Sequence, residues 1–188
     1  MPFWFRIARV WLPLAVVATL LCGLVYAAVQ QNYRMGFDGP QIQLAQDAAA
    51  RLDAGASPKD VAGLATVDVA NSLAPFVIAY AADNSVLAGT GNLHGAVPKP
   101  PPGVLEAARA KALNRVTWQP EPGVRIASVS YATKDGRVVL AGRNMREIEL
   151  RESALLQMTA IAWAVIVVGS LLTSWVVELL GKRYDSAG

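Results

Sequence analysis

The chain has few residues of the types that perform chemistry, and their spacing assembles no catalytic site. His94 is the single histidine, and the single cysteine, Cys22, lies inside an apolar run. The sequence also lacks a G-x-S-x-G motif, a phosphate-binding loop and clustered metal ligands. We therefore expect no catalytic residue, no metal site, no cofactor and no enzymatic activity.

Two short stretches superficially resemble functional motifs. His94 stands beside Gly95 in a proline-rich segment, without the partners that a metal site needs, which indicates a solvated loop histidine. Gly89-Thr90-Gly91 is not followed by a helix that could bind phosphate, so it indicates the end of a strand.

The most prominent structural feature of the sequence is a pair of long apolar segments. The chain is 54% hydrophobic and 16% charged, and the excess apolar residues lie in residues 10–29 and 155–180. Each segment contains 20 consecutive uncharged residues, about the number that a helix needs to cross a bilayer. We predict two transmembrane helices. For the first segment, a cleaved signal peptide ending near Val25-Tyr26-Ala27 is the alternative.

Basic residues flank both apolar segments on their outer sides. Arg6 and Arg9 precede the first segment, and Lys182 and Arg183 follow the second. Because Lys and Arg are retained on the cytoplasmic side, residues 1–9 and 181–188 are predicted to be cytoplasmic and residues 30–154 to lie outside. The pI of 9.2 comes largely from these flanks, so we expect no nucleic-acid partner.

Small residues recur at every fourth position of both apolar segments. Such residues let helices approach closely, which drives helix association in lipid. The helices are predicted either to pack on each other within one chain or to contact a protein partner, with a homodimer as one possibility. The predicted packing residues are Ala15, Thr19, Gly23, Ala27, Ala160, Ala164, Ser170 and Ser174.

The central residues 30–154 have a mixed helix and strand pattern. An amphipathic segment around residues 41–54 and a Ser57-Pro58 start signal predict two helices. Asn144 with Glu147 resembles a capping box for a last helix that continues into the second span. These patterns predict an α+β domain with five strands and flanking helices. The predicted strands are 76–82, 86–90, 115–119, 124–133 and 137–143, with a helix at 104–113.

Three stretches carry a family resemblance: SLAPFVIAYAADNSVLAGTG, PPPGVLEAARAKALNRVTWQPEPGVRIASV and GRVVLAGRNMREIE. With the order of elements, they resemble the extracytoplasmic PAS-like sensor domains, of the PDC or single-Cache type, that lie between two membrane spans in bacterial receptors such as histidine kinases. The resemblance implies a five-stranded antiparallel sheet, with a long N-terminal helix on one face and a ligand pocket on the other.

A ligand held in this way would lie near the proline-rich loop and the last strands. The residues there that could stack on or pair with an anionic ligand are Trp118, Arg125, Tyr131 and Arg143. The alternative is structural, with Trp118 and Tyr131 as core or sheet-surface aromatics and the two arginines as solvated edge charges.

The eight residues from Gly181 to Gly188 cannot form an output domain, so any signal is expected to leave through a partner. Our leading interpretation is a non-enzymatic protein of the bacterial inner membrane, with both termini cytoplasmic, whose periplasmic domain recognises a small molecule or a protein. The alternative is an accessory or structural subunit of a larger respiratory or photosynthetic membrane complex, in which the domain fills an interface.

Overall fold

The computed structural model describes residues 2–36 and 39–185, with side chains described except at 33–36 and 184–185. Residues 37–38 of the predicted break after the first span, Met1 and tail residues 186–188 lie outside the described residues. The chain divides into two compact units, one formed by the residues up to Asn32 with those from Leu150 onward, the other by Tyr33–Glu149. Its elements are α1 (Phe3–Gly36), α2 (Gly39–Asp53), α3 (Pro58–Ala62), β1 (Val67–Asp68), β2 (Phe76–Tyr80), β3 (Val86–Gly89), β4 (Gly91–Asn92), α4 (Val104–Lys111), β5 (Leu113–Glu121), β6 (Val124–Ala132), β7 (Val138–Asn144) and α5 (Arg146–Asp185).

The first unit is a pair of long apolar helices, α1 and α5. Both are long and apolar enough to cross a membrane. Their side chains are largely exposed, with Leu20 at 68% and Met158 at 69%, whereas the core helix of a water-soluble domain would bury such residues. These features suggest a two-pass membrane protein. Both helices extend beyond the predicted spans, and the flanking segments within them contain no proline.

Polar contacts join the two helices at three levels. Trp11 Nε1 donates a hydrogen bond to the Val167 carbonyl at 3.0 Å, and Trp163 Nε1 donates to Thr19 Oγ1 at 2.9 Å. Arg6, near the start of α1, forms an ion pair with Glu178, near the end of α5. Because low residue numbers on one helix meet high numbers on the other, the pair is antiparallel.

The central unit is built on a five-stranded antiparallel sheet with the strand order β3-β2-β7-β6-β5. The first and last strands of this sheet in sequence, β2 and β7, pair with each other inside the sheet rather than at its edges. Every residue of β2 is buried. A separate two-stranded parallel ladder joins β1 to β4. The predicted α+β class and five-stranded sheet are confirmed.

Helices cover both faces of this sheet. On one face, α2 packs Ala49 and Leu52 against Val77 and Val139. Ala45 of the same helix packs against Val129 and Ala141. On the other face α4 contributes Leu105 and Ala108 to a larger core cluster. Burial on both faces explains why β2 and β6 lack a polar-apolar alternation, as predicted.

Two helix starts, those of α3 and α5, carry capping residues that the sequence indicates. Ser57 caps α3 by accepting a hydrogen bond from the Asp60 amide, as predicted. Asn144 Oδ1 accepts a hydrogen bond from the Arg146 amide at the start of α5, as a capping residue does. Glu147 pairs with Arg143, four residues earlier.

Candidate binding cavity of the central domain

A cavity of about 360 Å³ lies under the proline-rich loop of the central domain. Its volume is near the lower end of the range for small-molecule sites, which suits a ligand about the size of one ring. The β2-β3 hairpin, the proline-rich loop and the start of α4 form its walls. The lining residues are Tyr80, Asn84, Val86, Lys99, Pro100, Pro101, Pro102, Gly103, Leu105 and Glu106.

The hairpin wall is fixed by a tight turn between β2 and β3. Asp83 Oδ1 accepts hydrogen bonds from the Ser85 amide at 2.9 Å and the Ser85 hydroxyl at 2.6 Å. These bonds, the hydroxyl bond first, lower the pKa of Asp83. Asn84 takes a left-handed conformation, with φ of 69°, which asparagine tolerates better than most residues. The Asn84 side chain is thereby set at the cavity.

The opposite wall is the loop Pro100–Pro102, which leads directly into α4. Consecutive prolines fix their φ angles and form a stiff apolar surface. Gly103 then turns the chain with φ of 85°, a value that favours glycine, and α4 begins at Val104. The loop therefore forms a rigid apolar wall of the cavity.

A chain of hydrogen bonds positions the acidic residue of the cavity. Asn84 Nδ2 donates to Glu106 Oε1 at 2.7 Å, and Arg109 Nη2 donates to Asn84 Oδ1 at 2.8 Å. Arg109 also donates to the carbonyls of Gly136 and Ala81. The pKa of Glu106 is lowered, first by its own backbone amide and then by Asn84, so its carboxylate is ionised at neutral pH.

Tyr80 gives the cavity its most unusual feature. Its side chain is 2% exposed, and its hydroxyl has no hydrogen-bond partner among the described residues. Burial raises the pKa of this phenol well above its usual value, so it is neutral and keeps its proton. Buried tyrosine hydroxyls usually have a partner, and an unmade bond is costly.

A second, more polar cavity of about 320 Å³ lies near β1 and β4, lined in part by Asp68, Asn71 and His94. Asp68 already accepts hydrogen bonds from the amides of Ala70 and Asn71 and from the Asn71 side chain. The Asn71 side-chain bond is the largest cause of the lowered pKa of Asp68. Because its carboxylate is occupied locally, this cavity is the weaker candidate.

The four residues that the sequence suggested for a ligand do not share one surface. Trp118 pairs with Ile126 across β5 and β6 and belongs to the core cluster on the α4 face, where its Nε1 donates to Ser128 Oγ at 3.0 Å. Tyr131 lies five residues from Ile126 on β6 and packs against the α2 face. Since side chains alternate along a strand, the two aromatics lie on opposite faces.

The two arginines of that set have partners inside the domain. Arg125 forms an ion pair with Glu149 at 2.9 Å, and both side chains are substantially exposed. Arg143 donates to the Leu73 carbonyl at 2.8 Å and to Glu147 at 2.6 Å. None of the four predicted residues is among those lining the cavity under the proline-rich loop. Ligand binding through them stays a prediction.

The predicted stripe of small residues is divided between two environments. Ala15, Ser170 and Ser174 are covered, wholly or partly, within the helix pair. Thr19 is exposed but accepts the hydrogen bond from Trp163. The remaining small residues are exposed, and a Cβ added at Gly23 would meet nothing within 4 Å. These uncovered positions are Gly23, Ala27, Ala160 and Ala164.

His94 is a loop residue, as its sequence context indicates. Its side chain is 72% exposed, and its Nε2 lies 2.8 Å from Glu121 Oε2. Within the described ranges, no group of three or more His, Cys, Asp or Glu side chains is arranged to hold a metal ion.

Sequence reasoning missed Tyr80, Asn84, Lys99 and Glu106 as cavity residues. One signal was present, because Tyr80 lies in a strand predicted to be covered on both faces, and a buried phenol usually needs a hydrogen-bond partner. Nothing in the spacing revealed that the hairpin turn and the start of α4 meet around it.

Comparison of the chain with protein-family models, with curated proteins and with solved structures finds no match. The functional proposal therefore rests on the fold and on the cavity.

Proposed function

We propose that this protein is a two-pass protein of the bacterial inner membrane whose periplasmic, PAS-like domain recognises a small molecule. It acts without catalysis and passes the effect of binding to a protein partner. The cavity under the proline-rich loop is the observation that carries this proposal. Its volume and its mixed polar and apolar lining suit a small ligand.

The architecture supports the PAS-like part of the proposal. α2 covers one face of the five-stranded antiparallel sheet, and the cavity lies on the other face with α4, the arrangement that the sequence resemblance implies. Among the described residues, no group of three or more His, Cys, Asp or Glu side chains is arranged to hold a metal ion.

Native mass spectrometry of the full chain, purified into lipid nanodiscs, tests for a retained ligand. Val86 lines the cavity and is 42% exposed, so Val86→Trp fills the space while leaving the core intact. Leu64→Trp is the matched control, since Leu64 is 97% exposed and does not line the cavity. We expect a small-molecule adduct on the wild type and on Leu64→Trp, and its loss from Val86→Trp. An unliganded wild type, or an adduct that survives Val86→Trp, argues against the proposal.

Orientation is tested by labelling with a membrane-impermeant maleimide in a Cys22→Ser background. Ala54→Cys places a thiol at an exposed position after α2, and Ser186→Cys places one in the tail. We expect Ala54→Cys to react in intact spheroplasts and Ser186→Cys to react only after lysis. The reverse pattern would show that the domain faces the cytoplasm.

A second candidate function, an accessory subunit of a larger membrane complex, is favoured by the uncovered small residues. Gly23 and Ala160 belong to positions that the helix pair leaves exposed, and lipid-facing small residues are typical of helix contacts. Purification in a mild detergent distinguishes the two functions. Stoichiometric, identifiable membrane subunits would favour the accessory role, whereas a free monomer or homodimer counts against it.

A further inference from the structure

We propose that a groove between α1 and α5 binds one anionic phospholipid, with an acyl chain along the groove and the phosphate at the charged end of the helix pair. This inference goes beyond the proposed function, because it concerns the helix pair and not the cavity of the central domain. The two proposals can therefore fail independently.

The groove is a cavity of about 310 Å³ on the surface of the helix pair. Its lining begins at Arg6 and Glu178 and continues along the two helices to Leu14 and Ser170. Eight residues of helix rise about 12 Å, which is most of the thickness of one hydrocarbon leaflet. The groove therefore has a charged end and a long interior, as a lipid has a charged headgroup and a long chain.

The interior of the groove suits hydrocarbon. Ile7 and Val10 supply apolar wall on α1. The hydroxyls that line the α5 side belong to Ser170, Thr173 and Ser174, and each donates to a carbonyl of its own helix at 2.8–2.9 Å. These three side chains therefore offer no free donor to a polar ligand. An acyl chain needs none, so the polar part of the ligand belongs at the charged end.

Arg6 supplies the first contact for a phosphate. Its side chain is 43% exposed, and its Nη2 pairs with Glu178. A guanidinium has five N–H donors in a planar fork, so donors on Nε and Nη1 remain for a second acceptor. Arg–phosphate hydrogen bonds are charge-assisted and are among the stronger ones in proteins. The ion pair with Glu178 thereby holds the guanidinium in place at the mouth of the groove.

Lys182 supplies a second cation on the same side of α5. It follows Glu178 by four residues, a spacing that places both on one face of a helix. Its Nζ lies 4.1 Å from the centroid of the Phe3 ring on α1, and the side chain is exposed. Arg9, also exposed, follows Arg6 within one turn. These three cations outnumber Glu178, which favours an anionic headgroup over a zwitterionic one.

Native mass spectrometry of the full chain in detergent, with equimolar phosphatidylglycerol and phosphatidylethanolamine of matched chains, tests this site. We expect one phosphatidylglycerol retained per chain under conditions that remove phosphatidylethanolamine. Lys182→Gln should lower this preference about fivefold, the usual effect of one basic residue near an anionic lipid. Lys134→Gln removes the same charge from an exposed turn of the central domain and should behave like the wild type.

A bulky side chain tests whether the lipid lies in the groove. Thr173 is exposed and lines it, so Thr173→Trp should fill the groove and abolish retention without disturbing the core of the helix pair. Leu172→Trp is the matched control, since Leu172 is 55% exposed, does not line the groove and points about 100° away around α5. An unchanged melting temperature in detergent verifies that each variant is folded.

The proposal predicts that millimolar glycerol 3-phosphate does not displace the lipid, because the soluble headgroup lacks the acyl chain. Displacement by it would mean that the site binds phosphate alone, and would overturn the proposal. Equal retention of both lipids, retention of lipid by Thr173→Trp, or no retained lipid would also overturn it. So would a second protein chain that occupies the groove in place of lipid.

Discussion

The ring of Phe76 occupies the space that a side chain at Gly142 would need. The two residues pair across β2 and β7, and a Cβ at position 142 would lie 2.4 Å from Phe76 Cζ. Gly91 flanks the same ring, with a Cβ there at 2.7 Å from Phe76 Cδ2. Phe76 is fully buried, so it has little freedom to move aside.

Gly142→Ala should therefore destabilise the central domain by about 1–3 kcal/mol, the usual cost of overpacking a core. Thermal unfolding followed by circular dichroism measures this change. Gly39→Ala is the control, because a Cβ at Gly39 meets nothing within 4 Å and alanine favours the helix. An equal effect of the two substitutions would contradict the packing explanation.

Two buried hydroxyls should respond in opposite directions to removal. Ser128 Oγ accepts from Trp118 Nε1 and donates to the Val116 carbonyl, so Ser128→Ala leaves an indole donor unsatisfied and should cost about 1–3 kcal/mol. Tyr80→Phe removes a hydroxyl that has no partner, so the unliganded protein should be unchanged or gain about 1 kcal/mol. Denaturant unfolding of both variants measures these changes in the free energy of unfolding. Clear destabilisation by Tyr80→Phe would mean that its hydroxyl has an internal partner.

The ion pair between Arg6 and Glu178 should stabilise the helix pair modestly. Its side chains are 43% and 19% exposed, so a double-mutant cycle with Arg6→Gln and Glu178→Gln should give a coupling of about 0.5–1 kcal/mol. The charge reversal Arg6→Glu should lower the melting temperature in detergent, and adding Glu178→Arg should restore it. Absence of any rescue would show that the two charges act independently.

Disulfide cross-linking tests whether a second copy covers the exposed small residues. In a Cys22→Ser background, Gly23→Cys should cross-link in oxidised membranes if the chain is a homodimer through this face. Leu21→Cys is the control, since it is 57% exposed but points about 160° away around α1. Native Cys22 is a poorer probe, because it is partly covered. Equal cross-linking at 21 and 23 would indicate random collision.

Acid should weaken the β6-β7 turn through Asp135. Hydrogen bonds from Arg137, and then Thr133, lower the pKa of this carboxyl from 3.8 to about 2. Because the folded state binds the proton less readily, the contribution is complete above about pH 4 and is lost as the pH falls through 2. Asp135→Asn should flatten the dependence of melting temperature on pH in that window, whereas Asp47→Asn, on the exposed side of α2, should not. An unchanged slope would contradict this role.

Much of the fold was predictable because its signals are local. Length and apolarity identify α1 and α5, and the Asp-Gly turn at 135–136 and the Ser57 cap mark elements that the structure contains. Asn144 caps α5 through Oδ1, but its Nδ2 also donates to the Val69 carbonyl at 2.7 Å, a contact 75 residues away that no local pattern encodes. Long-range contacts of this kind fix the side-chain geometry.

The cavity was less predictable for the same reason. Asn84, Glu106 and Arg109 belong to a turn and a helix more than 20 positions apart, and their hydrogen bonds depend on how the β2-β3 hairpin meets α4. Trp118 and Tyr131 looked suitable from their types alone, but strand register places them on opposite faces of the sheet.

The antiparallel pairing of α1 and α5 has a practical consequence for any labelled version of this protein. Since Arg6 meets Glu178, the start of α1 and the end of α5 lie at the same end of the helix pair. In a bilayer, fluorescent or enzymatic reporters fused to either end should therefore lie on the same side of the membrane. A reporter that is active on only one side should give a signal at both ends or at neither.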